Sequence, residues 1–147
     1  QQGTMGPQQA DLLISNGANP KKIAIGHMCG NTSVYYQTEV LKRGVYVNFD
    51  RFGLEGDLFH TPTDNERMDV IKALIDKGYG SRILLGHDSV NVNLGRPIIM
   101  NDFMKEALKD ANIRTIGAKV LPGLAARGLS DPQINSLLED NPMALFA

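Results

Sequence analysis

The stretch Val45-Tyr46-Val47-Asn48-Phe49-Asp50-Arg51 is rich in apolar, strand-forming residues and ends abruptly in two charged ones. Two other stretches, residues 23–26 and 83–86, have the same apolar form. All three runs are continuous rather than alternating, a pattern typical of parallel strands that are covered on both faces of a sheet. The sequence therefore predicts three short, buried, parallel strands at residues 23–26, 45–49 and 83–86.

Helical patterns lie before, between and after these strands. Cap signals mark several of them: Ser130 precedes the start of the last helix, and Gly17, Gly44 and Gly128 follow the ends of others. Strands roughly 20 to 35 residues apart, with helices between them, are what right-handed βαβ units require. The sequence thus predicts one α/β domain over residues 1–147, with helices at 8–15, 33–42, 66–77, 101–110, 114–127 and 131–140.

The composition excludes several classes of protein. Fifteen Lys and Arg residues stand against sixteen Asp and Glu residues, for a formal net charge of −1, which argues against a nucleic-acid or anionic membrane partner. The apolar run at 83–85 is far shorter than the roughly 20 residues that span a bilayer. One cysteine, Cys29, excludes an internal disulfide framework. With no signal-peptide pattern, this predicts a cytoplasmic protein.

Polar residues follow each predicted strand: His27 after the first, Asp50 and Arg51 after the second, and His87 and Asp88 after the third. Parallel strands bring such residues to one rim, where they can bind a metal ion or act as acid and base. His27 is either a metal ligand or a core histidine, and Asp88 is either a ligand and proton acceptor or a cap of the next loop. Asp50 and Arg51 either pair with each other, or Arg51 binds an oxygen of a substrate.

Other residues are weaker candidates. We expect Cys29 to be a buried, inert thiol, His87 to pack or orient a neighbour, and His60 to be solvated. The sequence has no GxGxxG, Walker A, GxSxG, HExxH or CxxC motif, which argues against nucleotide binding, serine-hydrolase chemistry and a zinc finger. The residues alone indicate a parallel α/β segment whose rim suits a metal-dependent hydrolase.

The residues after the three strands form three motifs: Gly26-His27-Met28-Cys29-Gly30-Asn31-Thr32, Phe49-Asp50-Arg51-Phe52-Gly53 and Gly86-His87-Asp88-Ser89. In this order, they resemble the phosphotriesterase family of the amidohydrolase superfamily, and in particular its phosphotriesterase-like lactonases and phosphotriesterase-related members. The helix at residues 71–79 and the ending at 141–146 resemble the family too, so that the resemblance covers essentially the whole chain.

The resemblance implies a (β/α)8 barrel with a two-metal centre that hydrolyses a lactone, another ester or a phosphotriester. It implies that His27 is the metal ligand at the end of strand 6. Asp88 would be the strand-8 ligand of the other metal, and would take the proton from the attacking hydroxide. Arg51 would lie near the substrate after strand 7, and the loop at 89–100 would help to form the pocket. Two divalent ions are implied per complete barrel, with zinc favoured over manganese, iron or cobalt.

A complete barrel takes about 250 residues, so the resemblance implies that this chain is the C-terminal part of one: strands 6 to 8 with flanking and C-terminal helices. Three strands cannot close a barrel and keep open edges. We therefore expect a partner, either the N-terminal half of the barrel or a second copy, and no catalysis by the chain alone. The alternatives are a non-catalytic remnant, a self-associating half-barrel or an unrelated doubly wound binding domain.

Overall fold

A three-stranded parallel sheet forms the centre of the fold, with strands β1 (Ala24–Ile25), β2 (Tyr46–Phe49) and β3 (Ile83–Leu85) in that order. Ala24 lies opposite Tyr46, and Val47 lies opposite Ile83. The computed structural model describes residues 4–56, 60–89, 94–95, 97 and 99–147. The predicted parallel α/β arrangement is confirmed, although each strand is shorter than its apolar run.

The six predicted helical stretches are present with shifted ends, and a further helix, Asn141–Phe146, lies beyond the last one predicted. The third helix begins at Asp64 rather than residue 66, because Thr63 and Glu66 form a capping box there. Pro122 and Pro142 each follow a π-helical turn, Ile116–Val120 and Ser136–Asp140, because a proline cannot continue the regular hydrogen-bond ladder. The helices are α1 (Gly6–Ser15), α2 (Val34–Leu41), α3 (Asp64–Asp76), α4 (Asp102–Ala107), α5 (Leu121–Ala126), α6 (Asp131–Asn135) and α7 (Asn141–Phe146).

The two faces of the sheet are unequally covered. One face packs into a continuous apolar core with the helices; its strand residues include Ile25, Val47 and Ile83. On the opposite face of the sheet, which we call the inner face, Ala24 and Gly26 are exposed. The prediction that both faces are covered is therefore wrong at β1, because the described residues supply nothing that packs over this part of the inner face.

The C-terminal helices are tied to the amino ends of the strands. Asn141 is buried, and its side-chain amide donates to the carbonyl oxygens of Gly80 and Ile83, at 2.8 and 2.7 Å. The Lys22 ammonium, which precedes β1, donates to the carbonyls of Ala144 and Leu145. This leaves the opposite, carboxyl ends of the strands for a site. No helix in the described ranges is long and apolar enough to cross a membrane.

Gly53, in the loop after β2, packs directly on the main chain that follows α4. Its φ is +85°, and a Cβ at this position would overlap the carbonyl group of Asp110. Gly78 at the end of α3 has a similar φ of +87°, but a Cβ there would meet no atom within 4 Å. The two glycines therefore share the backbone requirement and differ in the space around them.

We predict that Gly53→Ala destabilises the protein more than Gly78→Ala. Both substitutions place alanine in a left-handed conformation at a cost of roughly 1–2 kcal/mol. At Gly53 the overlap with Asp110 must also be relieved, which adds about 1–3 kcal/mol. Urea unfolding of both variants measures the difference in the free energy of unfolding. Equal losses would show that the contact between the loop and Asp110 contributes nothing.

Candidate metal and substrate site

Four side chains meet where the three strands end: His27 after β1, Asp50 and Arg51 after β2, and Asp88 after β3. Two of them have left-handed backbone, with φ of 59° at His27 and 47° at Asp88. Such conformations are uncommon for residues other than glycine and turn the chain sharply. The sharp turns keep both side chains at the rim of the sheet instead of letting the strands run on.

The carboxylate of Asp50 holds His27 at two points. Its Oδ1 lies 3.0 Å from Nδ1 of the His27 ring, and both of its oxygens lie 3.1 Å from the main-chain nitrogen of His27. Because a carboxylate only accepts hydrogen bonds, this contact calls for a proton on Nδ1, and in the neutral ring Nε2 is then the nitrogen with the free lone pair. Histidines that bind metals are commonly oriented by such a carboxylate, which fixes both the tautomer and the direction of the ring.

Gly86 makes room for Asp50, whereas a side chain at Gly26 would only come into ordinary contact with it. A Cβ on Gly86 would lie 3.0 Å from the Cβ of Asp50, and one on Gly26 would lie 3.5 Å from its Oδ2. These glycines immediately precede His27 and His87 in the motifs identified from the sequence. The sequence analysis did not recognise the role of Asp50. The only signal for it was the position of Asp50 at the end of a strand between two strands that end in Gly-His.

Arg51 contacts Asp88 and not Asp50. Its Nε lies 3.1 Å from Asp88 Oδ2, and the same oxygen lies 3.9 Å from Nδ1 of His27. The alternative that Asp50 and Arg51 simply pair is therefore wrong, because Asp50 points to His27 on one side and Arg51 reaches Asp88 on the other. Asp88 and Arg51 are both partly exposed, and solvent screens such a pair. The contact fixes direction more than it adds stability.

The donor set fits part of a metal site. An imidazole nitrogen and a carboxylate are ligands that zinc and similar divalent ions accept. Protein sites usually need at least three ligands, and the described residues contain no group of three or more His, Cys, Asp or Glu side chains placed to hold one ion. His27 and Asp88 can therefore supply ligands but cannot complete a site by themselves.

A cavity of about 210 Å³ opens beside His27 at the outer edge of β1. Its lining includes Gln9 of α1, Gly26 and Met28 beside β1, and Tyr36 of α2. The hydroxyl of Tyr36 accepts a hydrogen bond from the main-chain N–H of Gly6 at 2.8 Å, which ties α1 to α2 at this point. The cavity therefore lies between His27 and the two helices α1 and α2.

Among the weaker candidates, Cys29 contacts this constellation: its thiol donates to Oδ1 of Asp50 at 3.7 Å. Cys29 is buried, and burial raises the pKa of its thiol, so it is unsuited to act as a nucleophile at neutral pH. Nε2 of His87 is buried and has no hydrogen-bond partner among the described residues. His60 is exposed in a turn. Half of the loop predicted at 89–100 lies outside the described residues.

The family model of the phosphotriesterase family matches residues 1–146. A structure titled organophosphorus hydrolase, from Deinococcus radiodurans, is 45% identical to this chain and superposes with a TM-score of 0.90 over 97% of it. A phospho-furanose lactonase of Mycoplasmopsis synoviae is 31% identical over the whole chain, and an aryldialkylphosphatase of Saccharolobus solfataricus is 27% identical over 97% of it.

The chain spans only about two-fifths of the length of these proteins: 43% of the Deinococcus chain, 40% of the lactonase and 44% of the aryldialkylphosphatase. The match nevertheless runs from the first residue to the penultimate one, and the fold agrees at high sequence identity. The chain belongs to the phosphotriesterase family.

Proposed function

We propose that this chain forms strands 6 to 8 of a (β/α)8 barrel, and so contributes one part of the active site of a metal-dependent hydrolase of lactones, other esters or phosphotriesters. The observation that carries the proposal is the convergence of His27, Arg51 and Asp88 at the carboxyl ends of three adjacent parallel strands, with Asp50 orienting His27. Active sites of parallel barrels lie at this end. Relatives named as lactonase and as aryldialkylphosphatase support both substrate classes.

His27 and Asp88 would each hold one of two divalent ions. For His27 the ligand atom is Nε2, because Asp50 occupies the Nδ1 side of the ring. The remaining ligands would come from residues outside this chain, since the described residues offer no third ligand beside these two. Zinc is the ion that this donor set favours, and manganese, iron or cobalt are alternatives.

The side chains of the rim have distinct tasks in this proposal. A bound divalent ion supplies Lewis-acid polarisation of the substrate and activates water. Asp88 accepts the proton that the attacking water releases. Arg51 holds the Asp88 carboxylate through Nε at 3.1 Å, so its terminal amino groups stay available to donate to a carbonyl or phosphoryl oxygen. Asp50 touches neither substrate nor proton and keeps His27 in its binding orientation.

We propose that the N-terminal half of a barrel covers the free edge of β1. Support comes from the exposed inner-face residues Ala24 and Gly26, and from the cavity beside His27 on the same side. Helix α1, next to this edge, also exposes Leu12 and Leu13. A second copy of the chain is the alternative occupant, and sedimentation equilibrium of the chain by itself distinguishes a monomer from a self-associated form. A small-molecule substrate is the only further partner proposed; nucleic acid and membrane are not.

The test of the function is hydrolysis by the complete protein of a γ-lactone and of a dialkyl aryl phosphate, before and after removal of metal with a chelator. We expect activity on at least one substrate, loss after chelation and recovery with zinc. Asp88→Asn should lower kcat by about 10²–10⁴-fold, the usual contribution of a general base. Asp102→Asn is the matched control, because Asp102 is exposed and pairs only with Lys105 on α4.

The outcome that contradicts this proposal is a zinc-loaded protein that hydrolyses neither substrate, or an Asp88→Asn variant as active as Asp102→Asn. Activity of the 147-residue chain alone would contradict the part of the proposal that requires residues from outside it.

A second prediction concerns Asp50. Asp50→Asn keeps an acceptor for the main chain of His27 but removes the charge beside its ring, so we expect metal affinity to fall by about 10–100-fold. Asp11→Asn is the control, since Asp11 pairs with Arg43 on the outer surface, between α1 and the end of α2. Competition with a chromophoric chelator measures the affinity of the complete protein. An unchanged affinity would mean that Asp50 serves only to hold β1 and β2 together.

A further inference from the structure

Arg67, near the start of α3, is completely buried. Its guanidinium donates to the carbonyl oxygens of Arg51 and Leu54, each at 2.6 Å, and to that of Cys29 at 3.4 Å. It also contacts Oδ1 of Asp64 at 2.7 Å. Burying a cation without partners is very costly, and few side chains other than arginine can bind several carbonyl groups in fixed directions at once.

The carbonyls that Arg67 binds belong to the two loops that carry the candidate site. Arg51 and Leu54 lie in the loop after β2, and Cys29 lies two residues beyond His27 in the loop after β1. Arg51 is thus held twice: Arg67 fixes its main chain, and Asp88 receives its side chain at 3.1 Å. A shift of the Arg51 carbonyl would move the guanidinium of Arg51 relative to Asp88.

Asp64 completes the arrangement from the other side. Both of its carboxylate oxygens accept the main-chain N–H of Gly53 at 3.1 Å, and its Oδ2 lies 3.0 Å from the Lys119 ammonium. Lys119 also pairs with Glu55 at 2.9 Å. Two cations and two anions therefore balance around the loop after β2. The loop is held through its carbonyl and N–H groups, and not by packing alone.

We propose that Arg67 is a positioning residue that fixes Arg51 against the loop carrying His27. Its effect on catalysis rests on the function proposed above, whereas its effect on the two loops does not. If Arg67 only stabilised the fold as a whole, its substitution would not disturb these two loops more than other parts of the protein. Two measurements therefore test its role, one of loop order and one of catalytic rate.

Loop order is measured by hydrogen–deuterium exchange of the complete protein with Arg67→Lys. Lysine keeps the charge but cannot reach all four acceptors. We expect the main-chain amides of Gly53 and Leu54 to exchange about tenfold faster or more, because their hydrogen bonds open locally. The matched control is Arg127→Lys: Arg127 binds Asp69, Asn65 and the Gly123 carbonyl, and so ties α3 to α5 away from the rim.

Rate is measured with Arg67→Lys in the native protein and in an Arg51→Ala background. We expect kcat/KM to fall about tenfold or more in the first case, as small misplacements at a site can do, and by much less in the second, because Arg51 is then absent. Such non-additivity is the signature of residues that act through one another. Arg127→Lys should leave kcat/KM unchanged in both.

The positioning role would be overturned if Arg67→Lys lowered kcat/KM by the same factor in the native and Arg51→Ala backgrounds. It would also be overturned if Gly53 and Leu54 exchanged no faster than in Arg127→Lys. A native protein without hydrolytic activity would overturn the proposed function instead, and the exchange data would still decide whether Arg67 orders the loops. Should Arg67→Lys fail to fold, Asp64→Asn removes the carboxylate beside the guanidinium; exchange at Leu54 and kcat/KM in the two backgrounds then decide, because Asp64 itself accepts the Gly53 N–H.

Discussion

The carboxylate of Asp50 joins the ends of β1 and β2, because it accepts hydrogen bonds from both the main chain and the ring of His27. Strand β1 contains only two residues and has only β2 as a neighbour, so the ladder alone gives its end little support. Glycine at 86 is favoured by the same contact, since a Cβ there would lie only 3.0 Å from the Cβ of Asp50. The link between the ends of β1 and β2 at the rim depends on this side chain.

Two charge pairs near the rim differ in their surroundings, and this difference divides the site into a solvent-exposed and a buried part. Asp88 and Arg51 are 37% and 24% exposed, so water weakens their attraction. Asp64 and Arg67 are fully buried, where removal of either partner would leave an uncompensated charge. Side chains that would meet a substrate can therefore adjust, while the main chain that carries them is held by groups that water does not reach.

Much of the fold was predictable because its signals are local. Apolar runs located all three strands, and cap residues such as Ser130 located six helical stretches to within a few residues, while α7 was not predicted. His27, Arg51 and Asp88 were identified as candidates because the ends of parallel strands must meet. The coverage of the inner face was mispredicted at β1, since a continuous apolar run at residues 23–26 does not show whether another element is present to cover it.

The supporting residues could not be predicted for a different reason. Asp50 and Arg67 act on main-chain groups of other loops, and the main-chain acceptors of Arg67 lie 13 to 38 residues away. A charged residue in the first turns of a helix ordinarily faces water, so nothing in the local pattern marks Arg67 as buried. Only the path of the two loops, which turn three carbonyls toward one point, makes the guanidinium necessary.

A metal site whose ligands come from two separate parts of a barrel has a thermodynamic consequence. Under the proposed assignment, His27 and Asp88 bind different ions, and each ion also needs ligands from outside this chain. Free energy of metal binding then contributes to holding the two parts of the barrel together, as it contributes to folding wherever ligands come from separate segments. The ring of His27 is already oriented by Asp50, so this chain loses little conformational freedom when the ion arrives. More of the binding free energy therefore remains to hold the parts of the barrel together.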